Sequence, residues 1–290
     1  LNWFTKSWMI RHIYTTSTEG IVMVGDLLGK DFPFSEGVLS GKIALVCGAS
    51  EGIGRATSLF LARAGAQVIA CARSEGKLDD LINNLHGHGH QALPLDLEDT
   101  EQVERTISKL SSTGVEILIN NSGGPPGSPL IENEIGDFEG PLRRHLYASH
   151  LFVKGLLPNM EKSNFGRIVN IISTSVKEPV DGIGLSNTLR GAMASWSKSL
   201  SNELPPYVTI NNILPGYTDT GRLVSLSKSK SDRTGLTVEE VYSDWMGQAP
   251  IKRLVDPLET ASAVVWLCLP SSGAIRGVSL AVDGGRMRSI

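Results

Sequence analysis

Three glycines near residue 50 have the spacing of a turn that could bind a phosphate. The segment CGASEGIG places Gly48, Gly52 and Gly54 directly after an apolar run. At this spacing the chain can turn sharply, bring backbone N–H groups close to a pyrophosphate and begin a closely packed helix. A glycine triplet alone is also typical of an ordinary tight turn. Here it lies between a predicted strand and a predicted helix, which favours a dinucleotide site.

The end of the second predicted strand bears on which dinucleotide would bind. An acidic residue at this point hydrogen bonds the adenine ribose 2′-hydroxyl and would repel a 2′-phosphate. The sequence has no acid there and has Arg73 instead, whose planar cationic fork matches a phosphate. We therefore expect NADP(H). NAD(H) stays open, because Arg73 could simply extend into solvent and because the charge of Glu51 would weaken phosphate binding.

The elements that would position these residues follow an alternating pattern. Short Val- and Ile-rich runs alternate with longer segments of helical period, which predicts a parallel sheet covered on both faces. The predicted strands are 43–47, 67–71, 92–95, 117–120, 167–172, 208–214 and 279–282, and the predicted helices are about 53–64, 76–85, 100–110, 138–160, 189–204 and 258–269. The pattern predicts an α/β fold, a Rossmann-type doubly wound parallel sheet of about seven strands in a single domain.

Two segments fall outside this alternation. Residues 1–40 are expected to be an N-terminal extension or an upstream mis-start, although their few basic and many hydroxyl residues are also faintly typical of a transit peptide. Residues 41–290 would form the domain. Within it, the polar stretch 220–250 contains one predicted short helix at 238–246, and we expect it to act as a substrate lid.

Composition excludes several classes of partner. The 27 basic and 30 acidic residues give a formal charge of -3, which favours a small-molecule partner over nucleic acid. No apolar run approaches the ~20 residues needed to span a bilayer, so no membrane insertion is expected. Three cysteines in apolar surroundings suit buried thiols in a reducing, cytoplasmic compartment. The histidine run HGHGH at residues 86–90 lacks neighbouring ligands, so we expect no metal site there.

Several further motifs resemble those of the short-chain dehydrogenases/reductases, in particular their 3-oxoacyl-[acyl-carrier-protein] reductase-like members. The resemblance covers residues 41–285. CGASEGIG is similar to the family's TGxxxGIG, NNSG at 120–123 to its NNAG turn, NNILPGYTDT at 211–220 to its NxxxPGxxxT segment, and VDGG at 282–285 to its terminal VDGG. The cofactor-binding residues that this resemblance and Arg73 imply are Gly48, Ser50, Gly52, Ile53, Gly54, Arg73, Asp96, Leu97, Asn121, Gly123, Arg190, Pro215, Gly216, Thr218 and Thr220.

The same resemblance exposes a departure at the catalytic positions. Ser173 occupies the position of the family's catalytic serine, but Ser186 and Arg190 stand where the family has Tyr-x-x-x-Lys. A serine hydroxyl is a much weaker acid than a phenol, and an arginine stays protonated. His145 falls at the position of the tetrad asparagine. It is a candidate proton donor, directly or through water, or simply a packed helix residue.

Two functions of different classes follow from these residues. The first is an NADP(H)-dependent oxidoreductase that passes hydride to or from a carbonyl or alcohol substrate, with Ser173 polarising the oxygen and Arg190 holding the ribose. The second is an impaired family member that binds the dinucleotide as a sensor or structural subunit. A lyase or isomerase stays open on principle. The resemblance also implies a homodimer or homotetramer, built through the long helices that carry His145 and Arg190.

Overall fold

The computed structural model describes residues 25–289 of the 290-residue chain. These residues contain one parallel sheet with the spatial order β3-β2-β1-β4-β5-β6-β7. The strands are β1 (Ile43–Cys47), β2 (Gln67–Ala72), β3 (Gln91–Pro94), β4 (Val115–Asn120), β5 (Gly166–Ile171), β6 (Val208–Pro215) and β7 (Ser279–Val282). The order reverses between β1 and β4, which makes the crevice above them the expected ligand site of a doubly wound sheet. The predicted fold class is confirmed.

Nine α-helices accompany the strands in the described part of the chain. They are α1 (Gly52–Arg63), α2 (Glu75–Asn84), α3 (Thr100–Leu110), α4 (Ile135–Leu142), α5 (Ala148–Ser163), α6 (Gly184–Glu203), α7 (Gly221–Thr234), α8 (Val238–Gln248) and α9 (Pro257–Cys268). In this set, no helix is long and apolar enough to cross a membrane.

The sheet has an apolar core on each face. Helices α1, α2 and α9 cover one face, around Phe60 and Val264, and α3 and α5 cover the other, around Phe152 and Leu156. Both faces of the sheet are therefore buried, which explains why the strands are nearly continuous apolar runs. The three cysteines, Cys47, Cys71 and Cys268, are free and buried in these cores.

Part of the segment predicted as an extension packs on the domain. Phe32 and Phe34 lie with their ring centroids 5.5 and 6.4 Å from that of Phe60 on α1. Leu39 is fully buried, and its backbone N–H donates to the carbonyl of Ala64 at 2.9 Å. Residues 1–24 lie outside the described residues, and the boundary at residue 41 stays a prediction.

Three predicted helical segments differ from the structure. The helix predicted over 189–204 is α6, which begins five residues earlier, at Gly184. The helix predicted over 138–160 is divided into α4 and α5 by a π-helical turn at Arg143–Tyr147. Pro141 lies just before this turn and cannot donate the backbone hydrogen bond that a regular helix requires. The polar stretch 220–250 contains α7 as well as the expected short helix. Gly235 ends α7 in the left-handed conformation at φ 75°.

Candidate active site

The glycine turn after β1 has the backbone geometry that a phosphate site needs. Gly48 and Gly52 have φ values of +61° and +55°, a region that L-residues with side chains rarely adopt. A Cβ on Gly54 would lie 2.1 Å from the carbonyl oxygen of Gly48. The first turn of α1 therefore packs directly on the loop that precedes it. This close approach supports a cradle formed by backbone rather than by side chains.

The N-terminus of α1 is left open by its N-cap residue. The side chain of Glu51 makes no capping hydrogen bond and instead forms a 2.7 Å salt bridge with Lys77 on α2. The first N–H groups of a helix have no intrahelical partner, so an uncapped N-terminus can accept an anion. Because Lys77 pairs with Glu51, the acidic charge that the sequence places on this turn has a counter-ion.

The predicted adenine-side residues follow β2 and β3. Arg73 directly follows β2 and is exposed. Asp96 and Leu97 follow β3, and the Asp96 carboxylate accepts the backbone N–H of Glu98 at 3.0 Å. Leu97 packs against the core that α3 and α5 cover. The parallel pairing of β2 with β3 brings these residues to one edge of the sheet, beside the glycine turn.

Asn121 and Thr220 connect the glycine turn to the far side of the cleft. The Asn121 side-chain amide donates to the carbonyls of Cys47 and Gly48 at 3.2 and 3.3 Å. A Cβ on Gly52 would lie 3.1 Å from a methyl carbon of Thr220. Both predicted cofactor residues therefore lie against the cradle, although Asn121 is 73 residues from Gly48 in sequence and Thr220 is farther still.

The remaining predicted cofactor residues occupy the turn and the strand end around this cradle. Ser50 and Ile53 belong to the glycine turn and the start of α1, and Ile53 packs against the first core. Pro215 ends β6, and the Gly216 N–H donates to Val282 at 3.1 Å. Thr218 is buried and donates its hydroxyl to the Gly216 carbonyl at 3.2 Å.

A ladder of amide side chains lies beneath the cleft. Asn120, Asn170, Asn212 and Ser279 are register partners across β4 to β7. Their side chains form a continuous series of hydrogen bonds of 2.8, 2.9 and 3.1 Å. Each buried amide therefore has a partner, and the strand ends that carry the candidate catalytic residues are fixed relative to one another.

His145 lies in the π-helical turn and faces the loop after β4. Its Nδ1 atom lies 2.7 Å from the hydroxyl oxygen of Ser122, and its ring also hydrogen bonds the backbone of Gly123. The side chain is buried, with 4% of the residue exposed. A π-helical turn inserts an extra residue and reorients the side chains that follow, a feature frequent at functional sites. Sequence periodicity alone gives no sign of this turn.

Arg190 connects the loop after β4 to the end of β5. Its guanidinium donates to the carbonyl of Ile171 at 2.8 Å and to that of Ser122 at 3.3 Å. Ser173 follows two residues after Ile171, and Ser186 lies one helical turn before Arg190 on α6. The structure thus brings Arg190 and His145 together through Ser122. It also places Ser173 and Ser186 on the adjoining elements, since α6 packs against the short turn at Thr174–Val176.

The Ser173 hydroxyl is oriented by the turn that it begins. Its oxygen accepts the backbone N–H of Ser175 at 3.1 Å, and the residue is half-buried. A hydroxyl that accepts one hydrogen bond keeps its own O–H for donation. Ser173 can therefore donate to an oxygen atom in the cleft.

Burial and like charges set the protonation of this region. Burial first, and then the positive charges of Arg190, Arg144 and Arg222, hold the pKa of His145 well below its ordinary 6.5. Burial together with Arg222 and Arg144 lowers the pKa of Arg190 to about 10. At neutral pH, His145 is therefore an uncharged imidazole, and Arg190 is a cation.

Three residues near the site were not identified from the sequence. Ser122 is the hydrogen-bond partner of His145, and Arg144 and Arg222 are the positive charges that act on it. Arg144 lies beside His145 in the chain, and Arg222 follows shortly after Thr220. Neither position signals proximity by itself, because the π-helical turn, α6 and α7 meet only through the tertiary fold.

The predicted HGHGH turn has a structural role. The Nδ1 atom of His90 accepts the backbone N–H of Val68 on β2 at 3.1 Å, and its other nitrogen lies 3.0 Å from the carbonyl of His86. Within residues 25–289 there is no group of three or more His, Cys, Asp or Glu side chains placed to hold a metal ion.

The sequence is similar to a family of known enzymes. The short chain dehydrogenase family matches the chain over residues 42–231. The 3-oxoacyl-[acyl-carrier-protein] reductase FabG of Vibrio harveyi is 33% identical over 252 residues, covering 85% of this chain and 98% of that protein.

Two solved structures share the fold. One is L-sorbose reductase from Gluconobacter frateurii complexed with NADPH and L-sorbose, with a TM-score of 0.80 and 26% identity, covering 87% of this chain and 98% of that one. The other is a variant of actinorhodin polyketide ketoreductase with NADPH, with a TM-score of 0.81 and 27% identity, covering 88% of this chain and 100% of that one.

Proposed function

The chain belongs to the short-chain dehydrogenase family of NAD(P)-dependent oxidoreductases, and from this premise we propose that it transfers hydride between NADP(H) and a carbonyl or alcohol substrate. The observation that carries the proposal is the backbone cradle at Gly48 and Gly54, which a single added Cβ would block. It lies beside an uncapped helix N-terminus and an exposed Arg73. Both relatives solved with NADPH support the choice of cofactor.

The residues of this chain divide the cofactor among three regions. Arg73 would hold the 2′-phosphate, because its fork can pair with two phosphate oxygens. The turn from Gly48 to Gly54 would hold the pyrophosphate through backbone N–H groups. Asn121 and Thr220 would border the rest of the cofactor. When bound, the nicotinamide would supply or accept the hydride.

Ser173 and Arg190 would act on the substrate oxygen. The Ser173 hydroxyl accepts the backbone N–H of Ser175 through one of its lone pairs, and its O–H can donate to a carbonyl oxygen. As that oxygen gains negative charge, the positive charge of Arg190 would stabilise it electrostatically. Ser186, a weak acid on the same helix face as Arg190, would add a hydrogen bond rather than a proton.

His145 would contribute as a neutral group. Its low pKa means that an imidazolium is scarcely populated at neutral pH, so an alkoxide would not take its proton directly from His145. The Ser122 hydroxyl, 2.7 Å from His145 Nδ1 and half-buried, would connect the imidazole to the cleft. Water would then supply the proton through Ser122, with His145 orienting the hydroxyl.

A dinucleotide-binding sensor or structural subunit is the second candidate. The observation that favours it is the use of Arg190, which donates to two backbone carbonyls and thereby connects β5 to the loop after β4. A residue engaged in this way would maintain the fold even without turnover. Tight NADPH binding with no reduction of any carbonyl panel would favour this second candidate.

The cofactor proposal is tested by titrating wild-type protein and Arg73→Ser with NADPH and with NADH. Loss of a charge-assisted phosphate contact worth roughly 1.5–3 kcal/mol would weaken NADPH binding by about 10- to 100-fold. NADH binding should change less than twofold. Arg105→Ser is the matched control, because Arg105 is exposed on α3 and pairs only weakly with Glu101 at 3.4 Å. Equal losses for both cofactors would contradict the proposed role of Arg73.

The proposal extends to the partners, the location and the oligomeric state of the protein. We expect a small-molecule substrate, no nucleic acid or membrane partner, a cytoplasmic location, and a homodimer or homotetramer built on α5 and α6. The lid would be formed by α7 and α8, where Tyr217 stacks on Trp245 with ring centroids 5.0 Å apart. Light scattering at micromolar concentration that detected only monomer would contradict the oligomer.

A further inference from the structure

Three arginines from three different helical segments meet around the loop after β4. Arg190 on α6 donates to the carbonyl of Ser122 at 3.3 Å, and Arg222 on α7 donates to that of Pro125 at 2.5 Å. Arg144 lies in the π-helical turn next to His145, whose ring lies 2.7 Å from the Ser122 hydroxyl. Arg190 and Arg222 therefore share one short stretch of backbone, and burial and the positive charge of Arg144 lower the pKa of both. We call these three residues the arginine cluster (Arg144, Arg190 and Arg222).

The charges in the arginine cluster are incompletely balanced by the groups they contact. Arg144 forms a 2.5 Å salt bridge with Glu98, and its Nε–H is buried without a hydrogen-bond partner. The hydrogen bonds of Arg190 and Arg222 go to neutral carbonyl oxygens. Burial and Arg144 also lower the pKa of Arg222, so the positive charges disfavour one another. An anion bound among them would relieve this repulsion.

The position of the cluster separates it from the phosphate cradle. Arg190 also holds the carbonyl of Ile171, two residues before Ser173, so the cluster lies beside the hydroxyl proposed to bind the substrate oxygen. Under the proposed function, the pyrophosphate would bind separately, at the backbone cradle of Gly48 and Gly54. Arg222 is only partly buried, and its guanidinium lies along Gly124, where a Cβ would come within 3.2 Å of Nη2. It can therefore present its remaining N–H groups to a ligand in the cleft.

We infer that the substrate is a carbonyl compound that carries a carboxylate, and that Arg222 binds this carboxylate while Ser173 binds the carbonyl oxygen. The inference rests on the proposed function, because it assigns a substrate class to the same cleft. A planar guanidinium fork matches the two oxygens of a carboxylate and holds it in one orientation. The distance between Arg222 and Ser173 would then select the number of carbon atoms between the carboxylate and the carbonyl of the substrate.

The test compares oxo acids with their methyl esters, which share the carbonyl but lack the charge. The probes are 2-oxobutanoate, 3-oxobutanoate and 4-oxopentanoate, each with its methyl ester, so that the spacing between carbonyl and carboxylate varies. Binding to NADP⁺-loaded wild-type protein is measured by calorimetry, and turnover with NADPH is measured separately. The variants are Arg222→Met, Glu98→Gln and the exposed control Arg105→Met.

The expected result is that at least one acid binds tenfold or more tightly than its ester. Arg222→Met should raise the Kd of that acid at least tenfold and leave the Kd of NADPH within twofold. Glu98→Gln, which removes the counter-ion of Arg144, should tighten acid binding severalfold, and Arg105→Met should change nothing. Because Arg222 is partly exposed and Glu98→Gln acts in the opposite direction, misfolding of one variant would not imitate this pattern.

Different failures have different meanings. If wild-type protein binds NADPH but binds acids and esters alike, the inference is overturned and the proposed function stands. If Arg222→Met weakens NADPH instead of the acids, the cluster serves the cofactor, and the inference is again overturned. If wild-type protein binds no NADPH, the proposed function fails, and the inference fails with it.

Discussion

Backbone atoms form one end of the cleft, and side chains form the other. At the proposed phosphate end, backbone atoms form the site, and Gly54 approaches Gly48 so closely that a Cβ would lie 2.1 Å from its carbonyl oxygen. At the reacting end, side chains form the site, and Arg190 and His145 converge on Ser122 from separate helices. The phosphate end depends on which residues lack a side chain. The reacting end depends on where long side chains meet.

This difference explains why the two ends differ in how far they can depart from the family pattern. A backbone cradle tolerates many neighbours provided that its glycines stay, because the ligand contacts N–H groups common to all residues. A side-chain site changes its chemistry with every substitution. Under the proposed function, Ser186 and Arg190 would therefore alter the reaction while the cradle at Gly48 would still bind the same class of cofactor.

The largest expected effect is that of Gly54→Ala at the phosphate end. The added methyl overlaps the Gly48 carbonyl, and overpacking of this kind costs about 3 kcal/mol in the free energy of unfolding. We also expect NADPH binding to be lost, because the turn cannot keep its shape. Urea denaturation and NADPH titration measure the two effects.

A matched glycine separates this steric effect from the general effect of adding a methyl group. Gly76 lies in the first turn of α2, and a Cβ there would meet nothing within 4 Å. Gly76→Ala should therefore stabilise the protein by roughly 0.5–1 kcal/mol and leave NADPH affinity unchanged. Similar losses in Gly76→Ala and Gly54→Ala would show that the cradle is not special.

An intermediate effect is expected for Arg190→Lys at the reacting end. A lysine keeps the positive charge but lacks the fork that reaches both Ile171 and Ser122. At least one buried carbonyl would lose its partner, so the free energy of unfolding should fall by about 1–3 kcal/mol. Denaturant titration would measure this change.

The corresponding change at an exposed arginine provides the comparison. Arg105→Lys should shift stability by less than about 0.5 kcal/mol, because the Arg105 side chain is 63% exposed. NADPH affinity should change little in Arg105→Lys. If Arg190→Lys were as harmless as Arg105→Lys, then side-chain geometry would not be what holds the reacting end together.

The smallest effect concerns the stability of the reacting end in acid. The folded-state pKa of His145 lies well below 6.5, so at pH values between the two the unfolded chain binds a proton that the folded chain excludes. The stability contribution is full above the ordinary pKa and is lost as pH falls through this interval. His145→Gln should flatten the decline, as measured by the urea midpoint at a series of pH values.

His90 provides a reference outside the cleft. Burial also lowers its pKa, so it adds a contribution of the same sign. His90→Gln should therefore remove only part of the acid dependence, and the double variant should remove more than either single change. An unchanged pH profile in His145→Gln would mean that His145 is not held neutral by burial and the arginine cluster.

The sequence predicts the strands well, because buried residues follow one another along most of the strands. Strands buried on both faces are continuous apolar runs, and six of the seven have bounds within one residue of those predicted. The start of β4 is the exception, because Glu116 interrupts the apolar run. In the structure this buried carboxylate pairs with Lys42 at 2.8 Å, a contact between residues far apart in sequence. The helix α7 is not predicted either, because its exposed face is polar and few of its side chains are buried.

The site is predictable to the extent that backbone forms it. The glycine pattern indicates the turn and the left-handed conformations that the structure contains. The roles of Arg144 and Arg222 depend on the packing of α7 and of the π-helical turn against the loop after β4, which no local pattern encodes. The pairing of Glu51 with Lys77 is similar. The sequence places the negative charge of Glu51 on the glycine turn, and only the fold shows that Lys77 balances this charge.

The central claim is that this cleft passes hydride between NADP(H) and a carbonyl carbon. The most direct test uses NADPH that carries deuterium at the transferable position, with a 3-oxoacyl thioester and the oxo acids named above as substrates. Mass spectrometry of the product should find at least one alcohol with a single deuterium on the former carbonyl carbon. If the protein binds NADPH but forms no labelled alcohol above a protein-free control, the claim is contradicted.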